Sequence, residues 1–265
     1  SEGPEKDLNL TEFTQPAILT SSVALFRCLT RHDYSLPNFL AGHSLGEYSA
    51  LVVAGCIDFS DAVMLVQARG RAMQTAVPEG EGAMAAVIGL EDSIIDDVCA
   101  SFCVDSEFVG AVNYNSPGQV VIAGHTSAVG KASSALSRAG ARRLLPLPVS
   151  APFHTPLMQP AAQVISDCLA SIRVIDAKIP IVSNVDSQPH VSSEKLTELL
   201  VKQTCEPVIW TDCMRTLLNA GCNKFVECGP GRVLSGLMRR IDKAAECFGV
   251  DKPESLMQLL KKKQD

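Results

Sequence analysis

The sequence predicts an α/β fold, in which helices flank a mostly parallel sheet and a small domain is inserted into the larger one. Apolar segments suited to strands alternate with amphipathic segments suited to helices along most of the chain. Between residues 83 and 146 the order changes to β-α-β-β-α-β, and the alternation then resumes. The 265 residues are enough to bury a large core that carries such an insertion.

The first part of the larger domain covers residues 1–82. Apolar residues at helical spacing predict a helix over 15–32, with Pro16 near its first turn. The next segment, NFLAGHSLGEYSALVVAG, predicts a short strand, a tight glycine turn and a helix. One more helix is predicted over 59–76, with Ser60 or Asp61 as its N-cap.

The inserted segment has the split βαβ or ferredoxin-like order, so we expect a ferredoxin-like subdomain over 83–146. Its strands are predicted at 83–90, 109–116, 119–125 and 142–150, and its helices at 91–102 and 126–140. The larger domain continues over 147–265. There, helices are predicted at 156–171, 193–204, 211–220 and 231–245, and strands at 179–185 and 224–229.

Composition excludes several classes of function. With 46% hydrophobic and 20% charged residues and a net charge of −6, the chain suits a globular protein and not a general binder of nucleic acids. It has no apolar run long enough to span a bilayer and no signal peptide before the first element. We therefore expect no membrane partner and a cytoplasmic location of bacterial type, with an organelle matrix as the alternative.

The ten cysteines indicate neither a metal site nor a disulfide framework. They form no CxxC pair and no Cys/His spacing typical of zinc, and Cys56 and Cys168 stand among apolar residues. Buried, reduced thiols in a reducing compartment are the favoured interpretation. No metal or other cofactor is expected.

Residues 42–46, GHSLG, match the Gly-x-Ser-x-Gly nucleophile elbow, in which a strand ends, the chain reverses and a serine tops the turn before a helix. Side chains at Gly42 and Gly46 are expected to collide with neighbouring backbone. The helix N-terminus favours negative charge near Ser44, and the N–H of Leu45 is a natural oxyanion donor. Ser44 is therefore the candidate nucleophile, although the motif also occurs by chance in glycine-rich loops.

A serine hydroxyl needs a base to act as a nucleophile. We favour His154, because it follows the last strand of the insertion, where the chain re-enters the larger domain, and three prolines stiffen its loop. His43 adjoins Ser44, but neighbours in an elbow point in different directions, so packing or local hydrogen bonding is expected. The remaining histidines are expected to be surface or structural: His32, His125 and His190.

Arg69 lies in VMLVQARGRAM, a predicted helix with apolar residues throughout. We expect Arg69 to project inward beside Gly70 while Arg71 points outward; the alternative is an ordinary exposed arginine. A buried guanidinium requires an anion, and its planar fork fits a carboxylate.

Five segments together resemble one family. GHSLGEYSALV, QARGRAMQ, NYNSPGQVVIAG, PVSAPFHTPLM and VECGPGRVL are similar, in the same order, to segments of the stand-alone malonyl-CoA:acyl carrier protein transacylases of fatty-acid synthesis. The similarity extends over essentially the whole chain. It implies an α/β-hydrolase-like core with a ferredoxin-like insertion. Family members begin with a strand and a GQGSQ loop that supplies a second oxyanion N–H; GQGSQ is absent here, and we expect the sequence to start after it.

The resemblance implies catalytic roles for four residues. Ser44 would carry the malonyl group as an ester, and His154 would act as general base and then as general acid. Gln203 matches a position whose backbone carbonyl steadies the histidine, so the site would be a Ser–His dyad. Arg69 would pair with the malonyl carboxylate.

The same resemblance implies a substrate pocket. Gln15 matches a glutamine that lines it, and Asn113 and Asn115 match asparagines near its entrance. Phe153 resembles the Phe-His pair of malonyl-selective domains, although some stand-alone members carry serine there. His43, beside Ser44, is also expected to be a substrate-binding residue.

The implied reaction is ping-pong: malonyl-CoA acylates Ser44, and the phosphopantetheine thiol of acyl carrier protein then takes the malonyl group. Carrier proteins are acidic, so a chain of charge −6 needs a local basic patch. Arg142 and Arg143 are the preferred patch, and the second candidate comprises Arg239, Arg240 and Lys243.

Two other functions remain open from the sequence. A serine esterase or thioesterase of the α/β-hydrolase type shares the elbow, but its histidine comes late in the chain and it has no need of Arg69. A non-catalytic acyltransferase-like docking module would form no acyl-serine. Adduct formation with malonyl-CoA would separate enzyme from module, and preference for a thiol over water would separate transferase from esterase.

Overall fold

A computed structural model describes residues 8–104, 106–149 and 151–261 as a mixed α/β protein. The helices are α1 (Thr11–Arg31), α2 (Leu45–Val53), α3 (Phe59–Thr75), α4 (Asp92–Ser101), α5 (Thr126–Arg138), α6 (Gln159–Ser171), α7 (Ser193–Gln203), α8 (Trp210–Asn219), α9 (Val233–Ile241) and α10 (Pro253–Lys261). The strands are β1 (Leu40–Ala41), β2 (Gly82–Ile88), β3 (Val109–Ser116), β4 (Gln119–His125), β5 (Arg143–Pro146), β6 (Ile181–Val182), β7 (Pro189–His190), β8 (Lys224–Glu227) and β9 (Glu246–Gly249). A 3₁₀ helix covers Pro156–Met158.

The parallel pair β1 and β6 contributes Leu40 and Ile181 to one apolar cluster and Ala41 and Val182 to another. Leu40 is opposite Ile181 and Ala41 is opposite Val182, and β7 pairs antiparallel with β6. Apolar side chains of α1, α2, α3, α6 and α7 pack around this pair. Because the carboxyl ends of parallel strands meet at one edge, the turn after β1 lies beside the loop after β6.

The segment between β2 and β5 forms a four-stranded antiparallel sheet in the order β3-β4-β2-β5. Side chains alternate between its faces, as strand geometry requires. Ala85 and Val87 pack with α4 and α5, whereas Met84 and Ala86 belong to the cluster on the other face, against which Phe153 packs.

Backbone hydrogen bonds join this sheet to the residues before α8. The Tyr114 N–H donates to the Val208 carbonyl at 3.0 Å, and the Val208 N–H donates to the Val112 carbonyl at 2.8 Å. The Thr211 hydroxyl adds a bond to the Tyr114 carbonyl at 3.0 Å. β3 is thereby attached to the residues that lead into α8.

The strands of the larger domain differ from the expected single, mostly parallel sheet. In the described ranges they form the mixed sheet β1-β6-β7 and a separate parallel pair, β8 and β9. A cavity of about 900 Å³, lined by Leu40 and Phe225 among other residues, separates β1 from β8. The two pairs therefore do not share hydrogen bonds.

Most predicted elements are present with shorter bounds, and two local expectations are wrong. α1 begins at Thr11, so Pro16 lies inside the helix. The first turn of α1 packs tightly against α3, since a Cβ added at Gly70 would lie 2.6 Å from the Thr11 carbonyl oxygen. The N-cap of α3 is Asp58, whose extended backbone suits that position, and not Ser60 or Asp61, which are inside the helix.

The elements β7, β9 and α10 were not predicted; β7 and β9 have only two and four residues, too few to show a period. The predicted domain segments 1–82, 83–146 and 147–265 include residues 1–7, Asp105, Ser150 and 262–265, which lie outside the described residues. None of the helices in the described ranges is both long and apolar enough to cross a membrane.

Candidate active site

Ser44 occupies the sharp turn between β1 and α2, in a backbone conformation that non-glycine residues rarely adopt. Its φ is 51° and its ψ is −104°. A side chain at Gly42 would lie 1.9 Å from the backbone carbon of Gly46, so only glycine fits there. At Gly46 a side chain would meet nothing within 4 Å, so the expected collision at this position is wrong.

Asn184, in the loop after β6, braces the turn from both sides. Its Oδ1 accepts the N–H of Ser44 at 2.7 Å, and its Nδ2 donates to the carbonyl of Gly42 at 2.8 Å. Leu45 is the first residue of α2, and the first N–H groups of a helix have no helical acceptor. The N–H of Leu45 is therefore a candidate donor to a charged oxygen on Ser44.

The structure places His154 between Ser44 and Gln203. Ser44 Oγ lies 2.8 Å from His154 Nε2, and His154 Nδ1 lies 2.7 Å from the Gln203 carbonyl oxygen. A carbonyl oxygen only accepts, so Nδ1 carries the proton and Nε2 is free to accept from the serine hydroxyl. This is the geometry that a general base requires.

Two features set His154 apart from an ordinary histidine. Its φ is 61°, so both members of the Ser44–His154 pair have left-handed backbone, and such strain is concentrated at functional sites. Burial, assisted by the positive charge of Arg69, lowers the pKa of His154 to about 3. The free imidazole is therefore neutral at ordinary pH.

Arg69 projects inward from α3 and is only 2% exposed, whereas Arg71 is exposed and pairs with Glu12 at 3.0 Å. Its Nη2 donates to Ser44 Oγ at 3.0 Å and to Gln203 Oε1 at 3.1 Å, and its Nη1 donates to Gln15 Oε1 at 2.8 Å. The Tyr48 ring lies 5.1 Å from the guanidinium carbon. None of these partners is an anion.

The sequence analysis missed two polar residues of this network, Glu47 and Asn184. Glu47 is fully buried in α2, and its Oε2 accepts from the Asn184 N–H at 3.1 Å and from Gln203 Nε2 at 2.7 Å. Two signals could have indicated them. Glu47 is the one charged residue of LGEYSALVV, and Asn184 lies two residues after the carboxyl end of a buried parallel strand.

The other expected pocket residues surround this centre less closely. His43 Nε2 lies 2.7 Å from Asn115 Oδ1, and its ring packs against Trp210 at 5.5 Å. Asn113 is buried in an irregular part of β3 that bridges to Val208. His125 and His190 contact the Phe108 N–H and Asp186, respectively.

The expected docking arginines lie outside this network. Arg142 and Arg143 are exposed at the start of β5, an edge strand, and Arg142 lines a surface cavity of about 310 Å³ together with Arg215 and Asp92. In the second candidate patch, Arg240 donates to Gln119 of β4. The first patch is thus at an edge strand of the four-stranded sheet, and the second lies beside the first residue of the inner strand β4.

The side chains favour acyl transfer through serine. They bring together a hydroxyl, a neutral imidazole that can take its proton, and a buried cation that touches the same hydroxyl. Among residues 8–104, 106–149 and 151–261, no three His, Cys, Asp or Glu side chains are grouped so that they could hold a metal ion.

Sequence comparisons agree with this chemistry. The model of the acyl transferase domain family matches residues 1–252. The malonyl CoA-acyl carrier protein transacylase of Escherichia coli (strain K12) is 48% identical over 255 residues, which are 96% of this chain and 82% of the relative. The protein of the same name from Bacillus subtilis (strain 168) is 40% identical over 267 residues, covering 100% and 84%.

Solved structures share the fold. The malonyl CoA-acyl carrier protein transacylase from Coxiella burnetii has a TM-score of 0.96 at 41% identity and covers 98% of this chain and 82% of its own. A malonyl-transacylase in complex with a type II PKS acyl-carrier protein has a TM-score of 0.96 at 45% identity, covering 99% and 84%.

Proposed function

The chain belongs to the acyl transferase domain family, and from that premise we propose that it transfers a malonyl group from malonyl-CoA to the phosphopantetheine thiol of an acyl carrier protein. This reaction supplies extender units for fatty-acid biosynthesis. The relatives of that name from Escherichia coli and Bacillus subtilis, malonyl CoA-acyl carrier protein transacylase, are 48% and 40% identical, and the chain covers 82% and 84% of their length.

The observation that carries the proposal is the contact between Arg69 and Ser44. A buried guanidinium costs free energy unless an anion pairs with it, yet its protein partners here are neutral amides, a hydroxyl and an aromatic ring. A malonyl group on Ser44 ends in a carboxylate that could reach this cation. An acetyl group has no such carboxylate.

In the first half-reaction, Ser44 Oγ attacks the thioester carbon of malonyl-CoA while His154 Nε2 takes its proton. The N–H of Leu45 stabilises the oxyanion. The C–S bond then breaks, and His154 returns the proton to the CoA sulfur. The Gln203 carbonyl holds Nδ1–H throughout, so the imidazole keeps the correct tautomer without an aspartate.

The second half-reaction reverses these roles with a different thiol. His154 deprotonates the phosphopantetheine thiol of the carrier, the thiolate attacks the malonyl ester, and Ser44 regains its proton. CoA has left before the carrier reacts, so the kinetics are ping-pong. Burial of His154 limits the access of water, which would otherwise hydrolyse the ester.

We assign the surrounding residues to the acyl pocket. Gln15 orients Arg69 through its side-chain oxygen, and His43 and Asn115 hold each other near the turn. Phe153 and Asn113 form part of the opposite wall, because Phe153 packs against the sheet that contains Asn113.

We also propose that the chain has an α/β-hydrolase-like core, residues 1–82 and 147–265, with a ferredoxin-like subdomain at 83–146. The β-α-β-β-α-β order and the antiparallel sheet β3-β4-β2-β5 support the subdomain. Arg142 and Arg143, exposed at its edge, are the proposed contacts for the acidic carrier.

The two alternatives are not favoured. An esterase has no use for a buried cation at its nucleophile, and a docking module has no use for a strained serine that contacts a histidine. The relatives and solved structures are named as transacylases.

Intact-mass spectrometry after incubation with malonyl-CoA tests the function. We expect one malonyl adduct on the wild type, none on Ser44→Ala, and loss of the adduct when holo carrier protein is added. The matched control is Ser21→Ala, which removes an exposed hydroxyl from α1 and should keep the adduct. An adduct on Ser44→Ala, or release of the malonyl group to water in preference to the carrier, would contradict the proposal.

A further inference from the structure

Two buried side chains of opposite charge lie in the site without touching. Arg69 is 2% exposed and Glu47 is 0% exposed. Across the described ranges neither side chain takes part in an ion pair. Since burial of an uncompensated charge is costly, each requires an explanation.

The side-chain amide of Gln203 lies between the two charges. Its Nε2 donates to Glu47 Oε2 at 2.7 Å, and its Oε1 accepts from Arg69 Nη2 at 3.1 Å. The negative end of the amide dipole therefore faces the cation, and the positive end faces the carboxylate. One amide connects the two charges in the orientation that stabilises both.

This indirect contact differs from a direct ion pair in one respect. A carboxylate bound to the guanidinium would occupy the fork that a substrate carboxylate needs. With Gln203 interposed, Glu47 makes no direct bond to the guanidinium, and Arg69 Nη2 donates both to Gln203 Oε1 and to Ser44 Oγ.

We propose that Glu47 is the counter-charge of Arg69 and, acting through Gln203, weakens its hold on the acyl carboxylate so that the free enzyme is stable and malonyl binding is moderate. This inference rests on the proposed malonyl transfer. The Glu47 carboxylate binds Asn184 and Gln203 and not the side chain of Ser44 or His154, so its role is that of a positioning residue.

The test of this proposal must be made at a pH at which Glu47 is ionised. Burial raises its pKa to about 7, against the hydrogen bonds from Gln203 and Asn184 and the charge of Arg69. The nearby Tyr48 of α2 and Cys213 of α8 also have raised pKa values and stay neutral. At pH 8 Glu47 is therefore mostly ionised, and Arg69 is the charged group that faces it.

Glu47→Gln tests the charge, because it keeps the shape and an acceptor for Gln203 while removing the negative charge. At pH 8 we expect the KM for malonyl-CoA to fall and the ratio of kcat/KM for malonyl-CoA to that for acetyl-CoA to rise, by on the order of threefold to tenfold. The reason is that an uncompensated guanidinium attracts the malonyl carboxylate more strongly, whereas acetyl has no charge to gain from it.

Two controls separate charge from structure. Glu47→Asp keeps the charge and should keep the wild-type ratio even if both rates fall. Glu194→Gln makes the same chemical change on an exposed residue of α7 and should change neither rate. A purely structural role of Glu47 predicts equal losses for both thioesters, so a ratio in Glu47→Gln that is within twofold of wild type, or lower, would overturn the proposal.

A stability cycle gives a readout that does not depend on the reaction. Thermal midpoints are measured for Glu47→Gln, Arg69→Gln and the double variant. If the charges compensate each other, the double variant loses less than the sum of the single losses; a loss equal to or above the sum overturns the counter-charge. A wild type without preference for malonyl-CoA would instead refute the proposed function, while this cycle still decides the coupling.

Discussion

Arg69 Nη2 lies 3.0 Å from Ser44 Oγ, so the cation proposed to bind the malonyl carboxylate also contacts the nucleophile. A hydrogen bond from a cation stabilises a serine oxygen that is losing its proton. When a malonyl carboxylate arrives, Arg69 has a second partner for the same fork. The side chain of Arg69 therefore contributes both to substrate selection and to activation of the nucleophile.

Replacing Arg69 should change substrate preference more than fold. Arg69→Ala is expected to reduce kcat/KM for malonyl-CoA by tenfold or more relative to acetyl-CoA, because the carboxylate loses its partner and the neutral acyl group no longer leaves a buried cation unpaired. Arg69→Lys should restore only part of the preference, since a point charge lacks the fork. The measurement is kcat/KM for both thioesters. Arg71→Ala, two residues along the same helix but exposed, is the control; an unchanged ratio in Arg69→Ala would reassign the carboxylate site.

Removing the base should slow acylation without preventing folding. His154→Ala is expected to lower the rate of malonyl-serine formation by about 10²–10⁴, the usual contribution of a general base. Rapid-quench mass spectrometry measures this rate directly. His190→Ala, which removes a histidine that contacts Asp186, should be close to wild type. The opposite pattern would show that His154 is not the base.

The pH profile should lack the acid limb of an ordinary histidine. Only the neutral imidazole accepts a proton, and burial holds the pKa of His154 at about 3, so the base is still competent well below pH 6.5. Glu47, whose pKa is raised to about 7, titrates in the same range, so the profile is measured in Glu47→Gln. In that variant we expect kcat/KM for malonyl-CoA, which reports the free enzyme, to fall less than twofold between pH 8 and pH 5.5. A half-maximal rate near pH 6.5 would show instead that the imidazole titrates normally.

The two glycines of the elbow should respond differently to alanine. Gly42→Ala is expected to abolish the malonyl adduct and to lower the thermal midpoint, because its Cβ would overlap the backbone of Gly46 at 1.9 Å. Gly46→Ala meets open space in the first turn of α2, where alanine favours helix by up to about 1 kcal/mol. It should keep its stability or gain some. Equal damage in both variants would mean that the turn is arranged differently.

Charge reversal at the sheet edge should affect the carrier and not a small thiol. Arg142→Glu combined with Arg143→Glu is expected to raise the KM for carrier protein about tenfold, because long-range attraction to an acidic partner is lost. Transfer to free pantetheine should stay within twofold. Arg239→Glu with Arg240→Glu is the comparison variant. Loss of carrier use in that variant alone would place docking at the second patch.

The two catalytic side chains could be predicted from the sequence, because each stands in a recognisable local motif. Gly-x-Ser-x-Gly indicates Ser44, and the prolines and position of the PVSAPFHTP loop indicate His154. The network behind them was not predictable, because Glu47, Asn184 and the Gln203 side chain come from three separate elements that meet through the parallel pairing of β1 and β6. No local pattern encodes such a meeting.

The fold shows the same division. The strands expected at 109–116 and 119–125 have those bounds in the structure, because alternation and a short turn determine a hairpin locally. The pair β1 and β6 joins strands that are more than a hundred residues apart, Leu40 with Ile181, and periodicity does not specify partners over that distance.

The bonds between β3 and Val208 have a consequence for how ligands enter. They attach β3, which carries Asn113 and Asn115 of the proposed acyl pocket, to the segment before α8, so the position of these two residues is set when the protein folds and not when a substrate arrives. A receptor that is already shaped spends little free energy on reorganisation. We therefore expect either thioester to bind without a prior conformational change, with association rates that depend on diffusion and charge.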